Sequence, residues 1–426
     1  MPLLSELSEM IVDCEHKTAP VQEDGYPSIR TPNIGRGYFI LDGVNRVSEE
    51  TYRAWTKRAI PKPGDLIMAR EAPVGNVAMI PEGLEPCLGQ RTLLIRPDLR
   101  KVDPAYLTYL LLGDEVQSSI HAKTNGSTVP HLNMKDVREL PIPELPDLPI
   151  QRRIAGILSA YDELIANNQR RIAILEEMAR ALYREWFVYF RAPGMSAEAS
   201  AKADVVMGED GVPEGWEVKR LGEIADIEKG LSYKGEFLED EGGTPMVNLK
   251  CINPGGGFRR DGTKGYSGPY KDRQSVKPGD IVFANTDLTQ AGGIIGSAAL
   301  VPRAGFEQGG LATHHICIAR PRSYMVCNTL LYFILGDERF KDFAKGRASG
   351  TTVLGFRTGD AEDYSAIIPP RDLAKAFDEK VSPMLDLVET LHEKTANLRR
   401  TRDLLLPRLM SGRVEVEPMH DHVEAE

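Results

Sequence analysis

Few residues in this sequence have the type and spacing that catalysis requires. The sequence contains no G-x-x-x-x-G-K-[ST] phosphate-binding loop, so it offers no site for ATP-driven work. The string DPAY at residues 103–106 is the nearest approach to the Asn/Asp-Pro-Pro-aromatic motif of adenine methyltransferases, but Asp followed by Pro is also typical of a helix start. The string GGIIG at residues 292–296 lacks the spacing of a dinucleotide fingerprint and predicts a strand edge or a turn. We therefore predict no catalytic residues.

Histidine and cysteine placement gives no support for a metal site. His314 and His315 are adjacent, and adjacent residues of a strand point to opposite faces, so we predict one buried and one exposed ring. The five cysteines form no C-x-x-C pair, which predicts scattered, reduced thiols in a cytoplasmic, prokaryotic protein. No stretch of about 18 apolar residues occurs, so neither a membrane span nor a signal peptide is expected.

Side chains that suit nucleic-acid contacts lie in turn-rich segments of both halves of the chain. Arg, Lys and Asn can hydrogen-bond base edges, and cations and hydroxyl groups can bind phosphates. The candidates are Arg30, Asn33, Arg36, Arg70, Lys123, Asn125, Ser127 and Thr128 in the first half, and Lys250, Asn253, Arg259, Arg260, Lys264, Arg347, Thr351 and Thr352 in the second. For any one of them, a solvated surface position is the competing interpretation.

The overall charge does not by itself favour such contacts. The formal net charge is −10, whereas phosphate contacts need Lys and Arg where the duplex lies. Much of this net negative charge, however, comes from two segments that contain acidic residues and no Lys or Arg, the tail at residues 414–426 and the segment at residues 209–217. A protein whose charges are segregated in this way can bind DNA on one face.

The chain repeats itself once, in order and with a nearly constant offset of 214 to 224 residues. The matching strings are LSEM (7–10) with LGEI (221–224), KPGDLI (62–67) with KPGDIV (277–282), YLLLGDE (109–115) with YFILGDE (332–338), and GSTV (126–129) with GTTV (350–353). Each half therefore predicts one copy of the same domain.

Each copy has the pattern of a mixed α/β domain. Apolar runs between Pro/Gly turns predict strands at residues 65–69, 76–80, 92–95, 280–284, 294–300 and 315–319. Asp103 and Pro104 predict a helix N-terminus.

A long helix with a coiled-coil seam closes each half. In the first helix, at about residues 149–190 and about 60 Å long, apolar residues recur with 4-3 spacing, and the second helix repeats this spacing 223 residues later. The seam residues include Leu158, Ile165, Asn168, Ile172, Leu175, Leu182, Val388, Leu391, Leu398 and Leu405. Matching stripes within one chain most simply pack on each other, and polar Asn168 could fix their alignment.

Three segments resemble the conserved regions of the specificity subunits of type I restriction-modification systems, the HsdS family. They are PIP and PIQRRIAGIL at residues 141–143 and 149–158, VPEGWEVKRLGEI at 212–224, and LRRTRDLLLPRLMS at 398–411. Together with the repeats, the resemblance covers almost the whole chain.

The resemblance implies an α+β fold in which two target-recognition domains are joined by two antiparallel helices that form an intramolecular coiled coil. The predicted boundaries are residues 1–147 (domain 1), 148–192 (first spacer helix), 193–211 (linker), 212–370 (domain 2), 371–413 (second spacer helix) and 414–426 (acidic tail).

The resemblance also implies a function in DNA restriction and modification. Each domain would recognise one half of a bipartite site in double-stranded DNA, and the helices would set the spacer and dock two modification subunits. The chain would bind no cofactor: S-adenosylmethionine would belong to the modification subunit, and ATP and Mg would belong to the restriction subunit. The alternative hypothesis is a non-catalytic scaffold with two repeated protein-binding domains.

Overall fold

The structure is a computed structural model that describes residues 1–124, 130–193, 212–289, 291–322, 326–351 and 353–417. It divides into two compact units. Unit 1 comprises residues 1–167 and 395–426, and unit 2 comprises residues 168–394. No helix in the described ranges is both long enough and apolar enough to cross a membrane.

The strands are short, and most belong to small antiparallel sheets. In unit 1 they are β1 (Ser8–Asp13), β2 (Tyr26–Ile29), β3 (Arg46–Val47), β4 (Leu66–Ala69), β5 (Val77–Met79), β6 (Cys87–Leu88) and β7 (Thr92–Pro97). In unit 2 they are β8 (Glu217–Arg220), β9 (Ala225–Lys229), β10 (Leu238–Glu239), β11 (Thr244–Val247), β12 (Lys264–Tyr266), β13 (Ser275–Val276), β14 (Ile281–Ala284), β15 (Thr286–Asp287), β16 (Ala298–Leu300), β17 (Gly310–Ala312), β18 (Ile316–Pro321), β19 (Leu354–Gly355) and β20 (Ser365–Ile368).

The helices include two that are far longer than the rest. They are α1 (Glu49–Trp55), α2 (Pro104–Leu112), α3 (Asp114–Ala122), α4 (Met134–Arg138), α5 (Leu148–Tyr183), α6 (Leu221–Ile224), α7 (Asn328–Gly336), α8 (Glu338–Arg347), α9 (Thr358–Glu362) and α10 (Arg371–Met410). The Asp103 side chain accepts a hydrogen bond from the Tyr106 amide, which confirms the predicted N-terminus of α2.

The two units contain the same sheet. In unit 1 the strand order is β1-β7-β4-β5, and in unit 2 it is β9-β18-β14-β16, with every neighbouring pair antiparallel. A parallel pair also occurs in each unit, β2 with β6 and β11 with β17. The predicted repeat and the six predicted strands are confirmed, although β16 is shorter than the run at residues 294–300 suggested. Residues 292–296 form the predicted turn.

One of the four predicted repeat matches was wrong. The α6 residues Leu221–Ile224 correspond to the 3-10 helix Leu4–Leu7, and not to residues 7–10. In both elements the first and last residues are buried, and the backbone amides of Leu3 and Arg220 donate to the carboxylates of Glu6 and Glu223. The sequence LSEL-SEM contains the LSE string twice in succession, so the pattern fits at either position.

In unit 1 the beginning of α5 packs on the end of α10. Leu409 is buried in the same apolar cluster as Ile154 and Leu158, and Leu405 packs against this cluster. Further along α5, the Asp162 carboxylate forms an ion pair with Arg402. Contacts therefore move forward along α5 as they move backward along α10, which is antiparallel packing.

Unit 2 contains the remainder of both helices, packed in the same sense. Ile172, Val388 and Leu391 form one small cluster with Leu175 against it. Trp186, after the end of α5, packs on Phe377 near the start of α10. The predicted antiparallel coiled-coil seam is thus confirmed within each unit. All ten seam residues are buried or half-buried, including Asn168.

The ends of the long helices were predicted closely. The expected range of 149–190 corresponds to Leu148–Tyr183 followed by a turn of π-helix at Arg184–Val188, and the second helix begins at Arg371 as predicted. The predicted linker falls almost entirely in residues 194–211, outside the described ranges.

Candidate nucleic-acid interface

Seven of the twelve candidate side chains that the structure describes lie in equivalent loops of the two units. After β2, a 3-10 helix at Thr31–Asn33 leads to a bridge between Ile34 and Phe39, and then β3 returns antiparallel to β2. After β11, a 3-10 helix at Leu249–Cys251 leads to the corresponding bridge between Ile252 and Phe258, and then β12 returns. We call these the β2–β3 loop and the β11–β12 loop.

The β2–β3 loop presents two cations to solvent. Arg30 and Arg36 are exposed, and Arg36 also donates to the Leu112 carbonyl at 2.7 Å. Asn33 is half-buried and holds the loop together: its amide oxygen accepts from the Arg30 backbone amide, and its amide nitrogen donates to the Ile40 carbonyl at 3.1 Å. Asn33 therefore positions Arg30 rather than extending freely into solvent.

The β11–β12 loop has the same length as the β2–β3 loop, 16 residues, but contains three basic residues where the β2–β3 loop contains two. Lys250 and Arg259 are exposed in the loop, and Lys264 is exposed on β12. Asn253 lies at a turn, where its carbonyl accepts from the Gly256 amide. Cation-rich loops on a rigid sheet suit contacts with phosphates and base edges.

The prediction that Arg70 contacts DNA conflicts with its burial. Its side chain is only 8% exposed, and its guanidinium donates to both carboxylate oxygens of Asp13 at 2.7 Å and to the Leu132 carbonyl at 3.0 Å. A guanidinium that is enclosed and paired in this way cannot reach a base edge. Sequence patterns could not reveal this ion pair, because Asp13 lies 57 positions away.

Arg260 is also occupied, by a contact with α10. Its guanidinium donates to the Glu389 carboxylate at 2.5 Å, and the side chains are 29% and 17% exposed. The Arg303 backbone amide donates to the other oxygen of Glu389 at 2.9 Å. Burial alone would raise the pKa of Glu389, but the hydrogen bond and positive charge of Arg260, together with the backbone amides of Arg303 and Ala304, outweigh burial, so the net shift is downward. Arg260 therefore fastens domain 2 to its helix.

The remaining candidates have mixed surroundings. Lys123 is half-buried and donates to the Glu139 carbonyl at 3.3 Å. Arg347 is exposed, lies over the Phe343 ring and is 3.7 Å from Asp363. Thr351 is exposed and is not free of interactions. Asn125, Ser127, Thr128 and Thr352 lie outside the described residues. DNA contact by the exposed candidates stays a prediction.

Sequence reasoning missed an ion pair that recurs in both units and joins the KPGD turn to the sheet. Asp65, the last residue of the KPGD string, accepts from the Lys62 amide at 2.9 Å and pairs with Arg96 on β7 at 2.7 Å. Asp280 accepts from the Lys277 amide at 3.2 Å and pairs with Arg320 on β18 at 2.8 Å. The repeated KPGD string was the available signal, but the arginine partner could not be identified without the strand register.

The prediction for the two adjacent histidines was wrong. His314 and His315 lie in the turn between β17 and β18, and not in a strand, so their side chains do not alternate. Both are half-buried, with ring centroids 3.8 Å apart. Burial lowers the pKa of each imidazole, and nearby Lys229 lowers both further.

All five cysteines are free, as predicted. Burial raises the pKa of Cys87 and of Cys317 to about 12. Within the described ranges, Asp13, Cys14 and His16 are close enough to share a metal ion. Asp13 is already paired with Arg70 at 2.7 Å, however, and a neighbouring guanidinium disfavours a cation.

The aromatic residues at the end of α5 and just after it belong mainly to the core of unit 2. Tyr183, Trp186 and Phe187 are buried, and Phe187 lies edge-on to Phe377 with centroids 4.9 Å apart. Tyr189 is 52% exposed. The buried members of this cluster therefore serve core packing.

Two copies of one domain, each presenting cations from an equivalent loop and each packed against long helices, define the class: a protein with two nucleic-acid-binding domains. Residues 9–177 and 213–371 match the family described as type I restriction modification DNA specificity domain. The chain belongs to this family.

Relatives and solved structures agree with this family. The chain is 27% identical to the type I restriction enzyme MjaIX specificity subunit of Methanocaldococcus jannaschii, over 89% of this chain and 84% of that protein. It is 24% identical to the type I restriction enzyme HindI specificity subunit of Haemophilus influenzae, over 92% of this chain and 95% of that protein. The fold is similar to the crystal structure of the S subunit of a type I restriction-modification system from M. genitalium, with a TM-score of 0.59, 16% identity, and coverage of 96% and 95%.

Proposed function

We propose that this chain is the DNA-specificity subunit of a type I restriction-modification complex and that each domain recognises one half of a bipartite site. The observation that carries the proposal is the duplicated sheet with its duplicated loop, since two similar domains with different loop side chains suit two different half-sites. The family match over both domains supports DNA recognition rather than a protein-binding scaffold.

The proposal assigns no catalytic step to this chain. Modification subunits would bind S-adenosylmethionine and methylate adenine, and restriction subunits would supply ATP and Mg chemistry. The two long helices would dock two modification subunits and set the distance between the half-sites. Such a complex acts on DNA in the cytoplasm. The purified chain alone is expected neither to cleave nor to methylate duplex DNA, and activity of the isolated chain would contradict this assignment.

A domain exchange tests half-site recognition. Methylated adenines are first mapped in cells that express the complex, which defines the bipartite site. Residues 1–145 are then replaced by the first domain of another family member. We expect one half-site to change and the other, with the spacer, to stay the same. A change in both half-sites, or in neither, would rule out one domain for each half-site.

A helix insertion tests the role of the long helices. Four residues inserted after exposed Asn167 would lengthen α5 by about 6 Å, the length of about two base pairs. We expect a longer spacer between unchanged half-sites. The matched control is a four-residue insertion in the linker at residues 193–211, which should leave the spacer unchanged. Altered half-site sequences in the helix variant would be evidence against the spacer role.

A further inference from the structure

A short turn precedes the long inner strand of each sheet and makes the same backbone contacts in both units. In unit 1 it is the β6–β7 turn, Gly89 to Arg91, and in unit 2 it is the β17–β18 turn, Thr313 to His315. The Gly89 amide donates to the Ile29 carbonyl at 2.8 Å, and the Thr313 amide donates to the Val247 carbonyl at 2.9 Å. The two turns are therefore equivalent positions of the repeated domain.

The last residue of each turn is connected, through one residue that follows an inner strand, to the segment after the GSTV or GTTV string. The Arg70 amide donates to the Arg91 carbonyl at 2.9 Å, and the Leu132 amide donates to the Arg70 carbonyl at 3.0 Å. In unit 2, Asn285 and Phe356 repeat this pattern: the Asn285 amide donates to the His315 carbonyl at 3.0 Å, and the Phe356 amide donates to the Asn285 carbonyl at 2.8 Å. The backbone arrangement is thus fixed in both units, and only the side chains that it presents can differ.

The unit 1 turn presents side chains that suit base edges. Arg91 is exposed, and its backbone has a φ of +67°, which places it in the left-handed region that residues other than glycine rarely adopt. Its guanidinium is held 2.9 Å from the Glu71 carboxylate. Gln90, beside it, is half-buried, and its side-chain amide accepts from the Thr18 hydroxyl at 3.4 Å and donates to the His16 carbonyl at 3.2 Å, contacts that a base would have to replace. Arginine can bind guanine and glutamine can bind adenine through two hydrogen bonds each.

The unit 2 turn presents two imidazoles in the same place. The Nδ1 atoms of His314 and His315 are buried and have no hydrogen-bond partner. The side-chain amide nitrogen of Asn285, in the orientation that satisfies its neighbours, donates to the His315 carbonyl at 2.6 Å. It therefore supports the turn through the backbone and leaves the two Nδ1 atoms without a partner. A polar atom that is buried without a partner destabilises the fold, and no contact in the described part of unit 2 compensates for these two. A ligand with donors and acceptors would pair with them.

We propose that these two turns are DNA-recognition elements: Gln90 and Arg91 contact bases of one half-site, and His314 and His315 contact bases of the other. The inference rests on the proposed function. Its basis is the same backbone arrangement in both units, which carries different polar side chains. Domains that recognise different sequences must differ where they touch bases.

The test measures binding by the complex of the full chain with its modification subunits. Its Kd is determined for the mapped site and for duplexes in which either half-site is scrambled. We expect Q90A/R91A to lose about 10-fold or more of the discrimination at one half-site and to keep the other, and H314A/H315A to do the reverse. Wild-type discrimination at both half-sites in either double variant would overturn the assignment of that turn.

Control variants separate this inference from folding and from the proposed function. Arg100 and Arg322 lie just after the ends of β7 and β18 that are opposite these turns. The R100A and R322A variants should therefore bind DNA as the wild type does. Thermal melts verify folding, and R91K and H314N/H315N replace any alanine variant that unfolds, with the same expected losses. If the wild-type complex itself shows no preference for its mapped site, the proposed function fails. If the wild-type complex prefers its mapped site and the turn variants show the same preference, only this inference fails.

Discussion

The contact between the long helices and the domain is aliphatic in unit 1 and aromatic in unit 2. In unit 2, Phe377 packs against four aromatic rings with centroids 4.9 to 6.3 Å away. The five residues of this cluster and their counterparts 223 positions away are Phe377 with Ile154, Trp186 with Leu409, Tyr183 with Leu406, Phe187 with Met410, and Phe333 with Leu110. The counterparts belong to, or pack against, one apolar cluster of unit 1.

The polar contacts to the helices differ as well. In unit 1 the Tyr109 hydroxyl donates to Asp162 at 2.6 Å, and Asp162 also pairs with Arg402. In unit 2 the domain is attached instead through Arg260 and Arg303, which both contact Glu389. The sheets and their Asp–Arg pairs are thus repeated, whereas the attachments to the helices are not. The helix interface has diverged further than the scaffold it supports.

The largest expected effect contrasts the two apolar contacts. F377A removes a fully buried ring that touches four others, and I154A removes the equivalent aliphatic side chain in unit 1. We expect the free energy of unfolding to fall by about 4 kcal/mol for F377A and by about 3 kcal/mol for I154A, because the larger ring leaves the larger cavity. Urea unfolding measures both. An equal or larger loss for I154A would contradict the contrast.

A smaller effect should distinguish two equivalent tyrosines. Y109F removes the hydrogen bond to Asp162 and should lower the free energy of unfolding by about 1.5 kcal/mol, because the acceptor is charged. Tyr332 occupies the matching position, and its hydroxyl makes no side-chain hydrogen bond to any described residue, so Y332F is the matched control with little expected change. A similar loss of unfolding free energy in Y109F and Y332F would show that the hydrogen bond to Asp162 does not stabilise unit 1 as proposed.

The smallest effect is a dependence of stability on pH that arises from unit 2. Burial and the facing Lys229 on β9 lower the pKa of His314 and His315 from about 6.5. A lowered pKa in the folded state means that the unfolded chain binds protons first, so stability is full above about pH 6.5 and falls as the pH drops through the folded pKa.

Melting curves at pH 7.5 and pH 5.5 measure this dependence. The loss of stability on acidification should be smaller in H314N/H315N than in the wild type, because the variant lacks these two imidazoles. The equivalent turn in unit 1 holds Gln90 and Arg91 and no histidine, so Q90A/R91A should keep the wild-type dependence on pH. If H314N/H315N loses as much stability on acidification as the wild type does, the pH dependence does not arise from these two histidines.

Local patterns predicted most of the fold, whereas partners distant in sequence could not be predicted. The KPGD strings, the DP helix start and the 4-3 seam each depend on neighbouring residues, and the strands and both long helices lie where these patterns indicated. The burial of Arg70 depends on Asp13, and the pairing of Arg260 depends on Glu389, 129 positions away. Single-residue propensities carry no information on such pairs. The histidine error arose because a period of two was assumed where the chain turns.

Unit 1 is discontinuous in sequence, and this has a consequence for synthesis. Its core includes Leu409, which packs in the same cluster as Ile154 and Leu158, about 250 positions earlier. A nascent chain would therefore leave the ribosome with all of residues 168–394 before it could finish the unit that it began first. Until then, the apolar stripe at the start of α5 would lack its own partner and would need protection from aggregation.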